Sequence, residues 1–209
     1  MSEDQRSYAG ETGDERAARR RAALLDAAFD SVARDGWRGL RIAGLCQAAG
    51  LNKRYFYESF PDLDALIGAL MHRIADDAIT VTLAVVDPDA PDEAAFVLGP
   101  IRTFVEHLTE DPRRARVLFG AVAPDDAAAE HRVAAIREIV SVVAAQGRRR
   151  HHLEDGALVE LVASMLVGGT SQAVLDWLDG RIDSSRDAFA QQLATLWQTI
   201  GEAHVRASA

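Results

Sequence analysis

Apolar residues recur every three to four positions along most of this 209-residue chain, which is the spacing of one face of an α-helix. The repeat is seen in three separate stretches: Leu25, Phe29 and Val32; Leu66, Leu70 and Ile74; and Phe189, Leu193, Leu196 and Ile200. Alternation with a period of two is scarce, and the one candidate, residues 79–86, continues a helical pattern that begins at Leu63. The pattern therefore predicts an all-α protein of about nine helices.

Capping and turn residues mark the first three helices. Thr12 and Glu15 have the spacing of a capping box, which predicts the start of the first helix, and Gly36 is predicted to end it. Gly50 separates the next two, which are short. The predicted helices cover about 15–34, 42–48 and 52–60.

These three helices are predicted to form an N-terminal domain of residues 12–61, after a polar and disordered arm of residues 1–11. Residues 62–209 are predicted to form a larger helical domain, and the segment 147–152, rich in Arg and His, is predicted to be a polar loop. The helices predicted in this domain cover about 62–86, 92–109, 112–122, 126–147, 154–179 and 184–205.

Residues 42–60 have the pattern of a helix-turn-helix, in which two short helices cross through a tight turn. Cys46 supplies a small residue at the crossing, Gly50 a turn residue that tolerates positive φ, and Asn52 an N-cap for the second helix. An ordinary helical hairpin with a solvated basic face would give a similar pattern. The side chains predicted to point outward beside the second N-terminus are Lys53, Arg54, Tyr55 and Tyr57.

Charge is distributed unevenly along the chain. The net charge is −9, which by itself argues against a nucleic-acid partner. Residues 16–60, however, hold nine Lys or Arg and four acidic residues, a net charge of +5, whereas residues 61–209 carry −10. A basic N-terminal module on an acidic body favours DNA binding by the first domain.

The stretch from Leu25 to Leu66 resembles the DNA-binding domain of the TetR family of bacterial transcriptional regulators. The matching residues are Ala27-Ala28-Phe29, Gly36-Trp37, Ala48-Ala49-Gly50-Leu51-Asn52, Tyr57, Phe60-Pro61 and Asp64-Ala65-Leu66. The rest of the chain resembles the family in architecture, with an all-α body that closes on two long helices, and Trp177-Leu178-Asp179-Gly180 resembles a common ending of the penultimate helix.

The sequence departs from the family pattern in three places. Arg41 stands where a Thr usually opens the first helix of the motif, and Leu63 replaces a Lys that often contacts phosphate. The second helix begins Asn52-Lys53-Arg54-Tyr55-Phe56-Tyr57 instead of the usual Ser-x-Gly-Thr-Leu-Tyr. The bulky Arg54-Tyr55 pair predicts an operator unlike those of most family members.

The resemblance implies a homodimer that binds double-stranded DNA at a pseudo-palindromic operator. We expect Lys53 and Arg54 to reach base edges, and Arg41 and Tyr57 to contact phosphates. The predicted DNA-binding residues are Arg41, Asn52, Lys53, Arg54, Tyr55 and Tyr57.

The helical domain is expected to provide both the dimer interface and an effector pocket. Two apolar stripes on the last two helices predict a four-helix interface formed by Leu161, Trp177, Phe189, Leu193, Leu196 and Ile200. Apolar and polar residues from different helices predict a pocket lined by Met71, Ile74, Phe104, His107, Phe119, Met165 and Thr170. The acidic domain favours a neutral or cationic ligand.

Other chemistry is not indicated by the sequence. The single cysteine, Cys46, is predicted to be a buried packing residue rather than a redox sensor, and His151-His152 a solvated pair rather than a metal site. No catalytic residues, metal or cofactor are predicted. The first residues lack the apolar segment of a signal peptide, and no uninterrupted apolar run reaches roughly 20 residues, so neither a signal peptide nor membrane association is expected and the cytoplasm is the expected location.

These features predict a ligand-responsive DNA-binding transcriptional regulator, with repression relieved by a small molecule as the expected mode. The alternative is a helical small-molecule-binding protein or enzyme with no DNA role, in which the basic N-terminus is incidental. Retardation of duplex DNA in a salt-dependent way distinguishes the two.

Overall fold

The computed structural model describes residues 12–122, 127–152, 154 and 156–208, with side chains described to residue 203. The predicted disordered arm of residues 1–11 lies outside the described residues. All regular structure in the described part of the chain is helical, as predicted. It comprises nine α-helices: α1 Gly13–Asp35, α2 Ile42–Ala48, α3 Lys53–Ser59, α4 Leu63–Leu83, α5 Glu93–Glu110, α6 Pro112–Phe119, α7 Ala128–His151, α8 Ala157–Leu178 and α9 Arg186–Ser208. A short 3₁₀ helix, Trp37–Gly39, follows α1.

The predicted capping box at the start of α1 is confirmed. The Thr12 hydroxyl accepts a hydrogen bond from the Glu15 amide at 3.2 Å, and the Thr12 amide donates to the Glu15 carboxylate at 2.6 Å. These two bonds satisfy amides that a helix start leaves unpaired. They also lower the pKa of the Glu15 carboxyl below its usual value, because the backbone bond from Thr12 favours the charged form.

The chain divides into two compact units, residues 1–66 and 67–209, with the boundary inside α4. The first unit contains α1, α2 and α3 around a small apolar core. Its fully buried large side chains are Leu24, Leu40, Leu45, Phe56, Phe60 and Leu66.

The second unit is built from long helices that pack in pairs. The closest neighbours are α5 with α9 and α7 with α8, while α6 packs against α5 and α8. Its fully buried large side chains are Leu70, Met71, Val105, Leu108, Leu118 and Val174.

The predicted loop over residues 147–152 is wrong, because α7 continues through it to His151. Arg148 forms an ion pair with Glu160 of α8 at 3.0 Å, and Arg150 lies 3.7 Å from Glu93 of α5. These contacts with other helices hold the basic turn in helical form. Only His152 leaves the helix, with φ of +54°.

Candidate DNA interface and ligand cavity

The turn between α2 and α3 has the geometry that closes a helix with a left-handed glycine. Gly50 has φ of +65°, its amide donates to the Gln47 carbonyl at 3.2 Å, and the Leu51 amide donates to the Cys46 carbonyl at 2.8 Å. This pair of bonds is the Schellman motif, which needs a residue that tolerates positive φ. The sequence-based assignment of Gly50 as the turn residue is confirmed.

Asn52 caps α3, as predicted. Its backbone is extended, and its side-chain oxygen accepts a hydrogen bond from the Tyr55 amide at 3.2 Å. The cap fixes where α3 begins, so that the first helical residues are Lys53 and Arg54. Two cationic side chains therefore stand at an N-terminus whose amide groups and dipole also favour phosphate.

The inner face of α3 is apolar and buried. Phe56 is fully buried, with its ring 6.0 Å from that of Phe60. Cys46 is also buried, and desolvation raises the pKa of its thiol above the usual value. A buried thiol with a raised pKa is a poor nucleophile, which fits a packing role.

The outer face of α3 presents Lys53, Arg54 and Tyr57, all exposed. The Arg54 Nε donates to the Glu58 carboxylate at 2.9 Å, one helical turn away, yet 83% of the Arg54 side chain remains accessible. The Tyr57 side chain is 58% exposed and rests the edge of its ring against Phe56. Both side chains can therefore reach a partner without repacking the helix.

Tyr55 does not share this face, contrary to the expected outward orientation. It is half-buried, and the Arg20 guanidinium of α1 lies 4.6 Å from the centre of its ring. Arg20 also approaches Glu58 at 3.7 Å. The cation–π contact places Tyr55 between α3 and α1, where it orients the helix.

Arg41 is exposed at the N-cap position of α2, but its guanidinium is engaged locally. The same nitrogen donates to the carbonyls of Arg38 and Leu40, each at 2.7 Å. These bonds brace the segment that links the 3₁₀ helix to α2. A phosphate contact by Arg41 stays a prediction.

The second unit contains an apolar cavity of about 170 Å³ bounded by α4, α5, α7, α8 and α9. It follows α5 from Glu93 to Phe104, a rise of roughly 16 Å at 1.5 Å per residue. Apolar residues that line it include Ile79, Val97, Ile101, Ile139, Val162 and Leu166. An elongated apolar space of this kind is typical of small-molecule sites.

Few polar groups reach the cavity wall. Trp197 of α9 donates its indole N–H to the Thr170 hydroxyl of α8 at 2.8 Å. The Thr82 hydroxyl is buried and has no hydrogen-bond partner among the described residues. At one end, the Glu93 carboxylate lies 3.4 Å from the imidazole of His151.

The structure brings only two of the seven predicted pocket residues, Phe104 and Thr170, into this wall. Three others, Met71, Ile74 and Phe119, are buried but do not line the cavity, and His107 is half-buried away from it. Burial lowers the pKa of His107 below its usual value. Met165 points to the opposite side of α8, where it is 61% exposed.

Apart from Thr170, the polar residues of the cavity could not be identified from the sequence. Glu93 and His151 meet because the start of α5 lies against the end of α7, whereas the sequence predicts a solvated loop at His151. Thr82 lies in the last turn of α4, where threonines alternate with apolar residues and nothing in the sequence marks this threonine as facing a cavity. The amphipathic pattern of α4 and α7 could have indicated the cavity-facing side, but not which residues leave a space.

The predicted interface residues divide into two groups. Phe189 and Leu193 are buried within their own chain, and Trp177 stacks on Phe189 with ring centres 5.6 Å apart. Ile200 is half-buried. Only Leu161 and Leu196 are exposed, at 55% and 58%.

An exposed apolar stripe runs along α8. It contains Leu158, Leu161 and Met165, and continues into Gly168 and Gly169, which are exposed and have open space where a side chain would stand. We refer to these five residues as the α8 stripe. Because its exposed and buried faces are both largely apolar, α8 is long and apolar enough to cross a membrane, and it is the one such helix in the described part of the chain.

Comparison with known proteins identified no matching family model and no matching curated protein. Solved structures match strongly. A TetR-family transcriptional regulator from Streptomyces coelicolor superposes with a TM-score of 0.68 at 21% identity, covering 90% of each chain. A TetR-family regulatory protein from Rhodococcus RHA1 gives 0.63 at 15%, covering 87% of this chain and 96% of the other.

A third match is the transcriptional regulator FadR from Bacillus subtilis, solved in complex with stearoyl-CoA. It has a TM-score of 0.69 at 14% identity and covers 85% of this chain and 97% of its own. The matches extend over both units, whereas the sequence motifs that resemble the family lie mainly in the first third of the chain, with one further match at Trp177-Leu178-Asp179-Gly180. The chain therefore has the fold of the TetR-family transcriptional regulators.

Proposed function

We propose that this protein is a ligand-responsive DNA-binding transcriptional regulator, acting as a repressor that a small molecule releases from its operator. The observation that carries the proposal is the α2–turn–α3 geometry, in which a capped and buried α3 presents Lys53, Arg54 and Tyr57 to solvent. The basic charge of residues 16–60 supports it, because duplex DNA attracts such a module electrostatically. A DNA partner implies a cytoplasmic location, and we propose no enzymatic role.

Lys53 and Arg54 are proposed to read bases, since they stand at the N-terminus of α3, the end that enters the major groove in this type of motif. Tyr57 and Arg41 are proposed to contact phosphates. Asn52 is proposed to act mainly as the cap that sets the position of the two cations. Tyr55 is proposed to act from behind, through its contact with Arg20, because it is half-buried.

A homodimer is proposed to form through α8 and α9. The α8 stripe and Leu196 leave apolar side chains in water in the single chain, and a partner helix would cover them. Gly168 and Gly169 would let the partner backbone approach closely, since nothing in their own chain occupies that space. A two-fold dimer presents two α3 helices to the half-sites of a pseudo-palindromic operator.

The cavity is proposed to hold the effector. FadR, with a similar fold, is described in complex with an acyl-CoA, which supports small-molecule binding by this architecture. An effector that binds more tightly to a conformation with unmatched half-site spacing would shift the population away from DNA. Phe104 and Thr170 are the predicted pocket residues retained in this proposal.

Arg54→Ala should weaken operator binding by about 1–3 kcal/mol and relax the preference at one base pair in each half-site, because it removes one base contact. Tyr57→Phe should weaken binding to all sequences equally, since a phosphate contact carries no sequence information. The operator would first be identified by sequencing the genomic fragments that the protein retains. Binding would then be measured by mobility shift on the operator and on its single-base variants.

An equal loss on operator and random DNA for Arg54→Ala would contradict its base-reading role. Failure of the unmodified protein to retard any duplex DNA at low salt would contradict the regulator itself. That outcome would leave a small-molecule-binding helical protein as the remaining interpretation.

A further inference from the structure

We infer that the cavity binds an uncharged molecule with a long apolar body and a single hydrogen-bonding oxygen, and that the Thr82 hydroxyl recognises this oxygen. The inference rests on the proposed function only in treating the molecule as an effector. Binding itself can be measured in the absence of DNA.

The shape and wall of the cavity determine the body of the ligand. The space extends beside three turns of α5, from Glu93 to Phe104, and beside residues 159–170 of α8. Between these ends the wall is formed almost entirely by aliphatic and aromatic carbon. A flexible alkyl chain buries its whole length against such a wall, which is the favourable term in its binding.

The Thr82 hydroxyl supplies the polar contact. Two buried hydroxyls in this unit donate back to the carbonyl four residues earlier, Thr109 to Val105 at 2.7 Å and Ser171 to Val167 at 2.8 Å. The Thr82 oxygen is also buried but has no partner among the described residues, and of the two buried hydroxyls without a partner, Thr82 and Ser184, only Thr82 lines the cavity. A buried hydroxyl without a partner is destabilising, and a ligand oxygen that reaches it removes that cost.

The other hydroxyl in the cavity wall, that of Thr170, already has a hydrogen-bond partner. Thr170 accepts the indole N–H of Trp197 at 2.8 Å, and this bond joins α8 to α9 across the cavity. Gln146 of α7, the one amide side chain in the wall, is only half-buried. Thr82 is thus the buried hydroxyl of the wall that lacks a partner, and one ligand oxygen is enough to supply it.

The charged end of the cavity argues against an ionic ligand. The Glu93 carboxylate lies near two nitrogen-bearing side chains, the Arg150 guanidinium at 3.7 Å and the His151 imidazole at 3.4 Å. Arg150 is itself held by a bond to the Ala90 carbonyl at 3.0 Å and by the Phe96 ring at 5.0 Å. A carboxylate ligand would meet the Glu93 charge, and an amine would compete with an arginine that is fixed in place.

The backbone of α9 also closes on this carboxylate. A Cβ at Gly201 would stand 3.1 Å from the Glu93 oxygen, a tight contact that the glycine avoids. The charged pair is therefore enclosed by α5, α7 and α9, where an additional unpaired charge would be poorly solvated.

The test uses four probes with a ten-carbon chain: decanol, methyl decanoate (in which the carbonyl oxygen is the good hydrogen-bond acceptor), decanoate and decylamine. Binding to the full-length protein is measured by calorimetric titration. The two neutral probes should bind at least about tenfold more tightly than either charged one, because a charge is costly in this wall. Comparable binding of decanoate or decylamine, or no binding of either neutral probe, would overturn the inference.

Thr82→Val removes the hydroxyl with little change in shape and should weaken methyl decanoate binding about three- to tenfold, the range for one neutral hydrogen bond. Butylbenzene, which has no oxygen, should bind both proteins equally. Thr80→Val makes the same change at an exposed position of the same helix and should have no effect. Unchanged methyl decanoate binding by Thr82→Val would refute the role of this hydroxyl.

A final measurement separates this inference from the proposed function. The neutral probe is added to the protein–operator complex at concentrations that saturate the cavity. Release of DNA supports both conclusions. Saturation without release leaves the ligand assignment in place and contradicts the proposed coupling between ligand and DNA.

Discussion

Replacing Leu161 and Met165 together by arginine should convert the protein into a monomer and abolish specific operator binding. Both side chains are more than half exposed and lie on the α8 stripe, so the chain should fold normally with arginines there. In the proposed dimer the same positions would be buried, and four unpaired cations at its centre would be strongly unfavourable. Light scattering at micromolar concentration gives the mass, and a mobility shift gives the DNA binding.

A matched control is available outside α8. Val85→Arg, in the turn after α4, and Val133→Arg, on α7, change exposed apolar side chains away from the stripe and should leave the mass and the DNA affinity unchanged. A double variant at Leu161 and Met165 that remains dimeric would show that the interface lies elsewhere. Leu193, predicted from sequence as an interface residue, is unsuitable for this test because it is buried in its own chain, where arginine would destabilise the fold.

Phe56→Ala should destabilise the first unit by about 3–5 kcal/mol, which is the usual cost of removing a fully buried phenylalanine. The ring of Phe56 packs against Phe60 and supports Tyr57 from below. Its loss should loosen α2 and α3 while leaving the cavity of the second unit able to bind its ligand. Hydrogen exchange measured peptide by peptide should show faster exchange over residues 42–60 and little change over α8.

Tyr57→Ala is the informative comparison for this variant. The Tyr57 side chain is exposed, so its removal should weaken DNA binding while exchange over residues 42–60 stays close to that of the unmodified protein. Unchanged exchange in Phe56→Ala would contradict the packing described for α3.

The local features of the first unit could be predicted from the sequence because each depends on a few neighbouring residues. Thr12 with Glu15, Gly50, and Asn52 satisfy or terminate helix ends through bonds within six residues. Such signals do not need the tertiary fold. The orientation of Tyr55 could not be found in this way, because it is set by Arg20, thirty-five residues earlier in the chain.

The cavity could not be located from periodicity. Met71 and Ile74 have the same helical spacing as residues that line the space, yet they are packed in the core. An apolar stripe indicates only that a face is covered, whereas a cavity depends on how far apart the covering helices stand. The same reason explains Phe189 and Leu193, which are apolar because of their own core and not because of a partner.

The extension of α7 as far as His151 could not be predicted from local sequence either. Three consecutive arginines and two histidines suggest a solvated turn. Arg148 and Arg150, however, meet acidic residues of other helices, Glu160 of α8 and Glu93 of α5, and the segment is helical up to His151. His151 thereby becomes part of the cavity wall.

The arginines of α1 are partly committed to the protein itself. Arg20 lies over Tyr55 and near Glu58, Arg21 lies over Phe60 and donates to the Ser59 carbonyl, and Arg34 pairs with Asp35. DNA affinity falls with salt because cations that neutralise phosphates release counterions. Each neutralised phosphate steepens the plot of log K against log salt concentration by about 0.9. The slope for each half-site should therefore be shallower than nine basic residues would give. Two of the nine cations, Arg20 and Arg21, hold α3 in place, and affinity for DNA should survive moderate salt better than the composition suggests.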